Sequence, residues 1–118
     1  MKRHNFKQLN IWMRAKELVL DIYRVSRAFP SEEMFGLTRQ IRTSAVSIPS
    51  NIAEGCGRGS SKQLVQYCNV AQGSAFELET QLMIARDLEF LLENESSELL
   101  TEIAEIQKMI DGFIRRFK

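Results

Sequence analysis

The chain contains few of the residues that enzymes and metal sites use most often. Its 118 residues include two cysteines, Cys56 and Cys68, and a single histidine, His4. This set does not make a tetrahedral zinc site, and it offers little support for a Ser-His-Asp or Cys-His arrangement. We therefore expect no enzyme activity, no metal and no cofactor. The two thiols are expected to be reduced, with Cys68 packed as a small apolar residue, and His4 to lie in a loose N-terminal segment.

Long apolar runs and a large net charge are also missing. No apolar stretch approaches the roughly 20 residues that cross a bilayer, and the basic N-terminus lacks the apolar core of an export signal. These features predict a cytoplasmic protein without a membrane partner. The 16 Lys and Arg nearly balance the 15 Asp and Glu, for a formal net charge of +1, which argues against a uniformly basic, polyanion-coating protein.

Proline and glycine are sparse, and between them the apolar residues recur at spacings of three and four. This is the helical period, and no convincing period-two strand accompanies it. The pattern predicts an all-α fold with helices at about residues 9–29, 32–55, 61–92 and 97–117. Short connections favour an antiparallel up-down-up-down four-helix bundle, as a single domain over residues 1–118.

The second and third predicted helices carry the most distinctive local features. Ser31 is expected to cap the start of the second helix, and Pro49 lies inside its apolar stripe, where a proline is expected to kink the helix. Ser60 and Gln63 have capping-box spacing at the start of the third helix. Small residues around Gly73 predict a close approach of the two helices opposite Ser44 and Ala45, so Gly73→Leu is expected to overpack them.

Four basic side chains are candidates for contacts with nucleic-acid phosphates: Arg39, Arg42, Arg58 and Lys62. The first two lie one turn apart on the second helix. Arg58 lies within the glycine-rich turn that follows it and Lys62 just after that turn, where exposed amides favour an anion. The alternative interpretation is that the two helical arginines pair with Glu77 or Glu79. The glycine-rich segment is then only a flexible turn.

A set of polar side chains borders the apolar stripes of the second and third helices: Ser47, Asn51, Glu54, Ser74 and Glu77. One interpretation is a hydrogen-bonded network that fixes the register of the helices, because buried polar groups must be paired. The other is a pocket or a subunit contact lined by these groups. Acid–base catalysis is disfavoured, because no nucleophile, metal set or second base accompanies the carboxylates.

The segment from Gln40 to Gly55 is unusual, and it resembles a known motif. Its Ser-Ile-Pro-Ser-Asn-Ile-Ala-Glu-Gly string, residues 47–55, is similar to the core motif of the four-helix-bundle proteins encoded in intervening sequences of 23S ribosomal RNA genes. Residues 9–18, 29–40 and 71–79 resemble the family's opening helix, first turn and third-helix motif. The family-motif residues are Ser47, Pro49, Asn51, Glu54, Gly55, Gly73, Ser74 and Glu77.

The resemblance implies a bacterial four-helix bundle that assembles as a ring-like homopentamer. A related branch, the accessory variability proteins of diversity-generating retroelements, is pentameric and binds nucleic acid beside a reverse transcriptase. The expected partners are therefore further copies of this chain and RNA or a nucleoprotein. The alternative is an accessory factor for another protein, such as a polymerase, without direct nucleic-acid binding. At Thr43 the family more often has arginine, so this chain carries one positive charge fewer there.

Charge is distributed unevenly along the sequence. Residues 1–62 contain 11 Lys and Arg against 5 Asp and Glu, whereas residues 63–118 contain 5 against 10. The first two predicted helices are therefore expected to be basic and the last two acidic. This polarity suits either charge-matched packing of subunits or a basic face for RNA.

Overall fold

Four long helices connected by short turns make up the protein in the computed structural model, which describes residues 3–118. Helix α1 covers Asn10–Ser26, α2 Leu37–Cys56, α3 Ser61–Asp87 and α4 Glu93–Phe117. Short 3₁₀ helices at Phe6–Gln8 and Ser31–Glu33 precede α1 and α2. Residues 3–118 contain no strand, so the prediction of an all-α chain with four helices is confirmed.

Each helix turns its apolar stripe toward one shared core. On α1 the buried positions recur every three or four residues, at Ile11, Ala15, Leu18, Ile22 and Val25. The stripes of α2, α3 and α4 bury leucine, isoleucine and alanine in the same way. Because a fully buried leucine or isoleucine contributes about 1.5–3 kcal/mol, this core is the main source of stability. In residues 3–118, no helix is both long enough and apolar enough to cross a membrane.

Side-chain hydrogen bonds join α2 and α3. As the chain advances along α2, its bonding partners lie successively earlier in α3. Ser44 Oγ donates to Glu77 Oε1 at 2.9 Å, and the hydroxyls of Ser47 and Ser74 are 2.8 Å apart. The predicted register, which placed Ser44 opposite Gly73, is therefore wrong by about one helical turn.

Helices α2 and α3 approach each other closely at Gly55. A Cβ atom there would lie 3.0 Å from Tyr67 Cβ and 3.2 Å from the Leu64 carbonyl oxygen. A Cβ atom on Gly73 would meet nothing within 4 Å. The predicted overpacking by Gly73→Leu is therefore wrong, because this glycine faces away from the neighbouring helices.

An ion pair connects α1 to α4. Arg14 Nε and Nη2 donate to the two carboxylate oxygens of Glu102 at 3.0 and 2.9 Å, and this hydrogen bonding raises the pKa of Arg14. The side chains remain 38% and 35% exposed, so solvent screens the pair and its contribution is about 0–1 kcal/mol. The ion pair helps to set which sides of α1 and α4 face each other, and it adds little to the stability of the fold.

The start of α2 differs from the prediction of a cap at Ser31. The chain turns at Gly36 after the 3₁₀ helix Ser31–Glu33, and α2 begins at Leu37. Glu33 Oε1 accepts a hydrogen bond from the Leu37 N–H at 3.1 Å. A glutamate side chain therefore supplies the acceptor that the first turn of α2 needs, the role that Ser31 was expected to have.

Helix α3 ends at Asp87, five residues before the predicted end at residue 92. Glu89 has a φ of 65°, in the left-handed region. The Phe90 N–H donates to the Ala85 carbonyl and the Glu89 N–H to that of Arg86, both at 2.9 Å. This is the Schellman arrangement, which closes the end of a helix and turns the chain away.

Of the remaining helix ends, the start of α3 agrees with the prediction, whereas the end of α1 and the start of α4 differ from it. Ser60 Oγ accepts from the Gln63 N–H at 3.2 Å, so the predicted cap of α3 is confirmed. Helix α1 stops at Ser26, short of the predicted residue 29, and α4 begins at Glu93, before the predicted residue 97. The early start of α4 follows from Glu95, whose Oε1 accepts from the Leu92 N–H at 2.9 Å.

Three of the less common residues lie in packed surroundings. Pro49 is buried within α2, which continues as a helix to Cys56; the kink stays a prediction. Both thiols are free and buried, which confirms the predicted packing of Cys68, and burial raises its pKa to about 12. The expectation of a loose segment around His4 is wrong, because its ring packs edge-on against the Phe117 ring at a centroid distance of 4.9 Å.

Candidate nucleic-acid interface

The four basic residues predicted to contact phosphates are divided between the two ends of α2. Arg39 and Arg42 lie in its first two turns, and Arg58 and Lys62 follow its last residue. From Arg42 to Cys56, the last residue of α2, the helix advances by about 20 Å. The structure therefore does not bring the four side chains together into one compact site.

Arg42 is held against α1. Its Nε donates to Ser26 Oγ at 2.9 Å and its Nη2 to the Tyr23 carbonyl at 3.4 Å. Its guanidinium carbon lies 4.5 Å from the centre of the Tyr23 ring, a cation–π distance. These partners are neutral, so the charge of Arg42 is oriented without being neutralised.

The predicted pairing of Arg39 or Arg42 with Glu77 or Glu79 is wrong. The side chain of Arg39 is exposed and makes no hydrogen bond or ion pair with any residue from 3 to 118. Glu77 accepts from Ser44, and Glu79 Oε1 accepts from an amide of α4 at 3.1 Å. Both carboxylates are thus engaged by neutral donors.

Arg58 is anchored at the turn between α2 and α3. Its Nη2 donates to Glu54 Oε1 at 2.7 Å and to the Tyr67 hydroxyl at 2.8 Å, and the guanidinium lies 4.9 Å from the centre of the Tyr67 ring. A guanidinium has five N–H donors, so these bonds leave donors for a further anion. The side chain of Lys62 is exposed and forms no hydrogen bond or ion pair within residues 3–118.

Residues from both ends of the chain meet this turn. Arg3 Nε donates to the Gly57 carbonyl at 2.8 Å, and the neighbouring His4 ring contacts Phe117. The guanidinium of Arg116 lies 5.4 Å from the centre of the same Phe117 ring. Arg3 and Arg116 therefore stand at the same end of the molecule as Arg58. The Arg115–Arg116 pair and the basic N-terminal residues were the sequence signal, but nothing in the sequence showed that they meet.

Segments 3–9, 54–66 and 108–118, linked by these contacts, form what we call the basic end. Its basic residues are Arg3, Lys7, Arg58, Lys62, Lys108, Arg115, Arg116 and Lys118. Its two carboxylate side chains, Glu54 and Asp111, pair with Arg58 and Arg115. The positive charge at this end therefore greatly exceeds the negative charge.

Segments 26–36 and 84–98 form the opposite, acidic end. Contact between the Phe29 and Phe90 rings, at a centroid distance of 5.6 Å, joins the two segments. They contain seven Asp and Glu against two arginines, Arg27 and Arg86. The first two helices carry a net positive charge and the last two a net negative charge, as expected. The structure adds that the charges also separate along the length of the helices.

The polar side chains of α2 and α3 that were predicted to border the apolar stripes form hydrogen bonds with one another. Asn51 Nδ2 donates to the Ser47 carbonyl at 2.8 Å and to Ser47 Oγ at 2.9 Å, and Ser47 is bonded in turn to Ser74. Glu54 is not part of this hydrogen-bonded network, since it pairs with Arg58. These contacts tie the two helices in register, as one of the two interpretations requires. Within residues 3–118, no group of three or more His, Cys, Asp or Glu is placed to hold a metal.

Comparison with known proteins identifies the group to which this chain is related. A crystal structure of a protein of unknown function from the S23 ribosomal protein family of Bacteroides thetaiotaomicron matches with a TM-score of 0.82 and 23% identity. The match covers 89% of this chain and 95% of that one, and it shows a shared fold. No curated protein matches the chain. The model of the family described as 23S rRNA-intervening sequence protein matches residues 7–112, so the chain belongs to this family.

Proposed function

We propose that this chain is a non-enzymatic, homo-oligomeric bundle protein that binds RNA through its basic end. The observation that carries the proposal is the excess of positive charge at that end, where eight basic residues face two carboxylates, and these compensate only Arg58 and Arg115. Clustered positive charge attracts a polyanion and raises its rate of association.

Arg58 and Lys62 supply the centre of the proposed interface. Arg58 is preoriented by Glu54 and Tyr67, so little side-chain freedom is lost when it meets a phosphate. Lys62 lies in the first turn of α3, where the helix dipole also favours an anion. Arg3 and Arg116 extend the positive surface to either side. Arg39 and Arg42 lie outside this interface, at the far end of α2.

The proposal includes an antiparallel up-down-up-down arrangement and assembly into a ring-like homopentamer in the bacterial cytoplasm. Support for assembly comes from the outer side of α3, which exposes the apolar side chains of Val70, Phe76, Met83 and Ile84. A second copy of the chain would cover these exposed apolar side chains in an assembly. Light scattering is expected to give a mass near five times 13.6 kDa. A monomer would contradict the assembly.

RNA binding is tested by fluorescence anisotropy with a labelled RNA hairpin at increasing salt. Because each phosphate contact releases counterions, affinity is expected to fall steeply with salt. The triple variant Arg58→Ala, Lys62→Ala, Arg116→Ala is expected to bind weakly and with a shallower salt dependence.

A matched triple variant removes the same charge elsewhere, by Arg24→Ala, Arg27→Ala and Arg86→Ala. It is expected to bind the hairpin like the unmodified protein, as is Arg39→Ala. Equal losses in the two triple variants would show only a dependence on net charge. That result, or no binding at low salt, would overturn the proposal.

A second candidate function is an accessory factor that binds another protein and makes no contact with nucleic acid. The observation that favours it is Phe35, an aromatic side chain that is 85% exposed. Pull-down with and without nuclease separates the two functions. A partner retained after nuclease treatment supports protein binding, and a partner lost with the RNA supports the first candidate.

A further inference from the structure

A shallow groove of about 590 Å³ lies between the end of α1 and the first half of α2. Six of the side chains that line it are aromatic, apolar or positively charged: Tyr23, Met34, Phe35, Arg39, Arg42 and Val46. A second groove of about 480 Å³ lies on the other side of α2. Phe35, Arg39 and Thr43 line both grooves, so they form a ridge with a depression on each side.

Several large apolar and aromatic side chains of the first groove are exposed to solvent. Phe35 is 85% exposed, and Tyr23, Met34 and Val46 are each at least 40% exposed. Aromatic side chains that a partner buries are frequent energetic centres of protein interfaces. The ridge around Phe35 therefore has the composition of a docking surface.

The charges of the groove indicate the chemistry of its ligand. Arg39 has no carboxylate partner among residues 3–118, and Arg42 is bonded only to the Ser26 hydroxyl and the Tyr23 carbonyl. Two guanidinium charges therefore stand in an apolar groove without compensation. A ligand that carries carboxylates beside apolar side chains would neutralise both arginines and cover Phe35.

We propose that this groove binds an acidic amphipathic helix of a partner protein. The lining residues extend from Met34 to Val46, most of them on α2, and the corresponding length of helix is about 18 Å, or about 12 residues. A helix of that length presents apolar residues on one face and carboxylates at its edges, as in other helix-in-groove complexes. The site is independent of RNA binding, and it names a surface and a partner for the second candidate function.

The position of the groove favours an acidic peptide over RNA. It adjoins the acidic end, whose seven carboxylates repel an extended phosphate backbone. A short helix is affected less, because its few carboxylates can be confined to the positions that face Arg39 and Arg42. The groove and the basic end are therefore expected to select different ligands.

The test uses a labelled, end-blocked peptide of about 14 residues with leucines at helical spacing on one face and glutamates on the other. A second peptide has lysine in place of every glutamate. Anisotropy is expected to show saturable binding of the glutamate peptide and none of the lysine peptide. Phe35→Ala and Arg39→Glu are each expected to weaken binding by at least about tenfold.

Phe76→Ala and Arg86→Glu serve as matched controls, since they alter an exposed aromatic and an exposed cation that lie outside both the groove and the basic end. Both are expected to bind the peptide normally. Circular dichroism checks that all four variants fold. Their affinity for the RNA hairpin, measured in parallel, shows whether a failure concerns the groove or the basic end.

Four results would overturn the inference. The first is equal binding of the lysine peptide, and the second is undiminished binding by Phe35→Ala. The third is a fall in the solution mass of Phe35→Ala, because a second copy of the chain would then cover the groove. Displacement of the glutamate peptide by the RNA hairpin would instead assign the groove to nucleic acid and reject a protein partner.

Discussion

At the scale of single residues, Gly55 and Gly73 lie in opposite surroundings. Gly55 on α2 packs against α3, whereas Gly73 on α3 faces away from the neighbouring helices. We predict that Gly55→Ala destabilises the protein by about 1–3 kcal/mol, because the new methyl group would press on Tyr67 Cβ and the Leu64 carbonyl. Gly73→Ala is predicted to stabilise it by up to about 1 kcal/mol, since alanine favours the helix and nothing obstructs the methyl group. Urea denaturation measures both, and each variant is the control for the other. Shifts of the same sign would contradict the prediction.

Arg42 shows why the candidate site was only partly predictable from single residues. Its place in the apolar and polar pattern of the second helix is visible in the sequence. Whether it turns toward α3 and its carboxylates or toward α1 depends on how the packed helix is rotated. The structure turns it toward Tyr23 and Ser26, which a residue spacing within one helix does not determine.

At the scale of a helix, the end of α3 depends on one strained residue. Glu89 adopts a left-handed conformation, which costs a non-glycine residue about 1–2 kcal/mol. We predict that Glu89→Gly raises the free energy of unfolding by about 1 kcal/mol, because glycine tolerates this conformation. Thermal or urea denaturation measures the change. Glu98→Gly, within α4, is the control, and it is expected to destabilise the helix by about 1 kcal/mol. A loss of stability in Glu89→Gly would contradict the role assigned to this turn.

The helices themselves were predicted better than their ends. The spacing of Ile11, Ala15, Leu18 and Ile22 on α1 predicts a buried stripe, and each of these residues is buried. The stripe identifies a helix because burial of apolar area dominates its stability. Its ends depend on single hydrogen bonds, such as that of Glu33 to Leu37. Such bonds leave no periodic signal in the sequence.

At the scale of the whole molecule, the buried thiol of Cys68 couples stability to pH. Burial raises its pKa to about 12, whereas an unfolded cysteine titrates near 8.5. Above pH 8.5 the unfolded chain releases a proton that the folded chain retains. We therefore predict that the contribution of this thiol is complete below that pH and declines as the pH rises toward 12.

The measurement is urea denaturation at several pH values between about 8 and 10. Cys68→Ala is the control. It is expected to be less stable overall because it leaves a small cavity, but to lose stability less steeply as the pH rises. Parallel slopes in the two proteins would contradict the prediction. Native Cys68 is also expected to react slowly with a thiol reagent, because the thiolate is the reactive form.

The distribution of charge over the molecule was the least predictable property. The sequence shows a basic first half and an acidic second half. Each half, however, folds into helices that run between the basic end and the acidic end, so both halves contribute residues to both ends. Arg116 belongs to the acidic half of the sequence and yet stands at the basic end, whereas Glu32 and Glu33 belong to the basic half and stand at the acidic end. Only the packing of the helices reveals this arrangement.

The contacts of Arg3 with Gly57 and of His4 with Phe117 have a practical consequence for protein engineering. A purification tag or fluorescent fusion at either terminus would project from the surface proposed to bind RNA. A polyhistidine tag would add its own cationic residues there, and a bulky fusion would shield Arg58 and Lys62. Labels for binding studies therefore belong on the far turns, for example at a cysteine introduced by Asn94→Cys, with the native thiols protected by their burial.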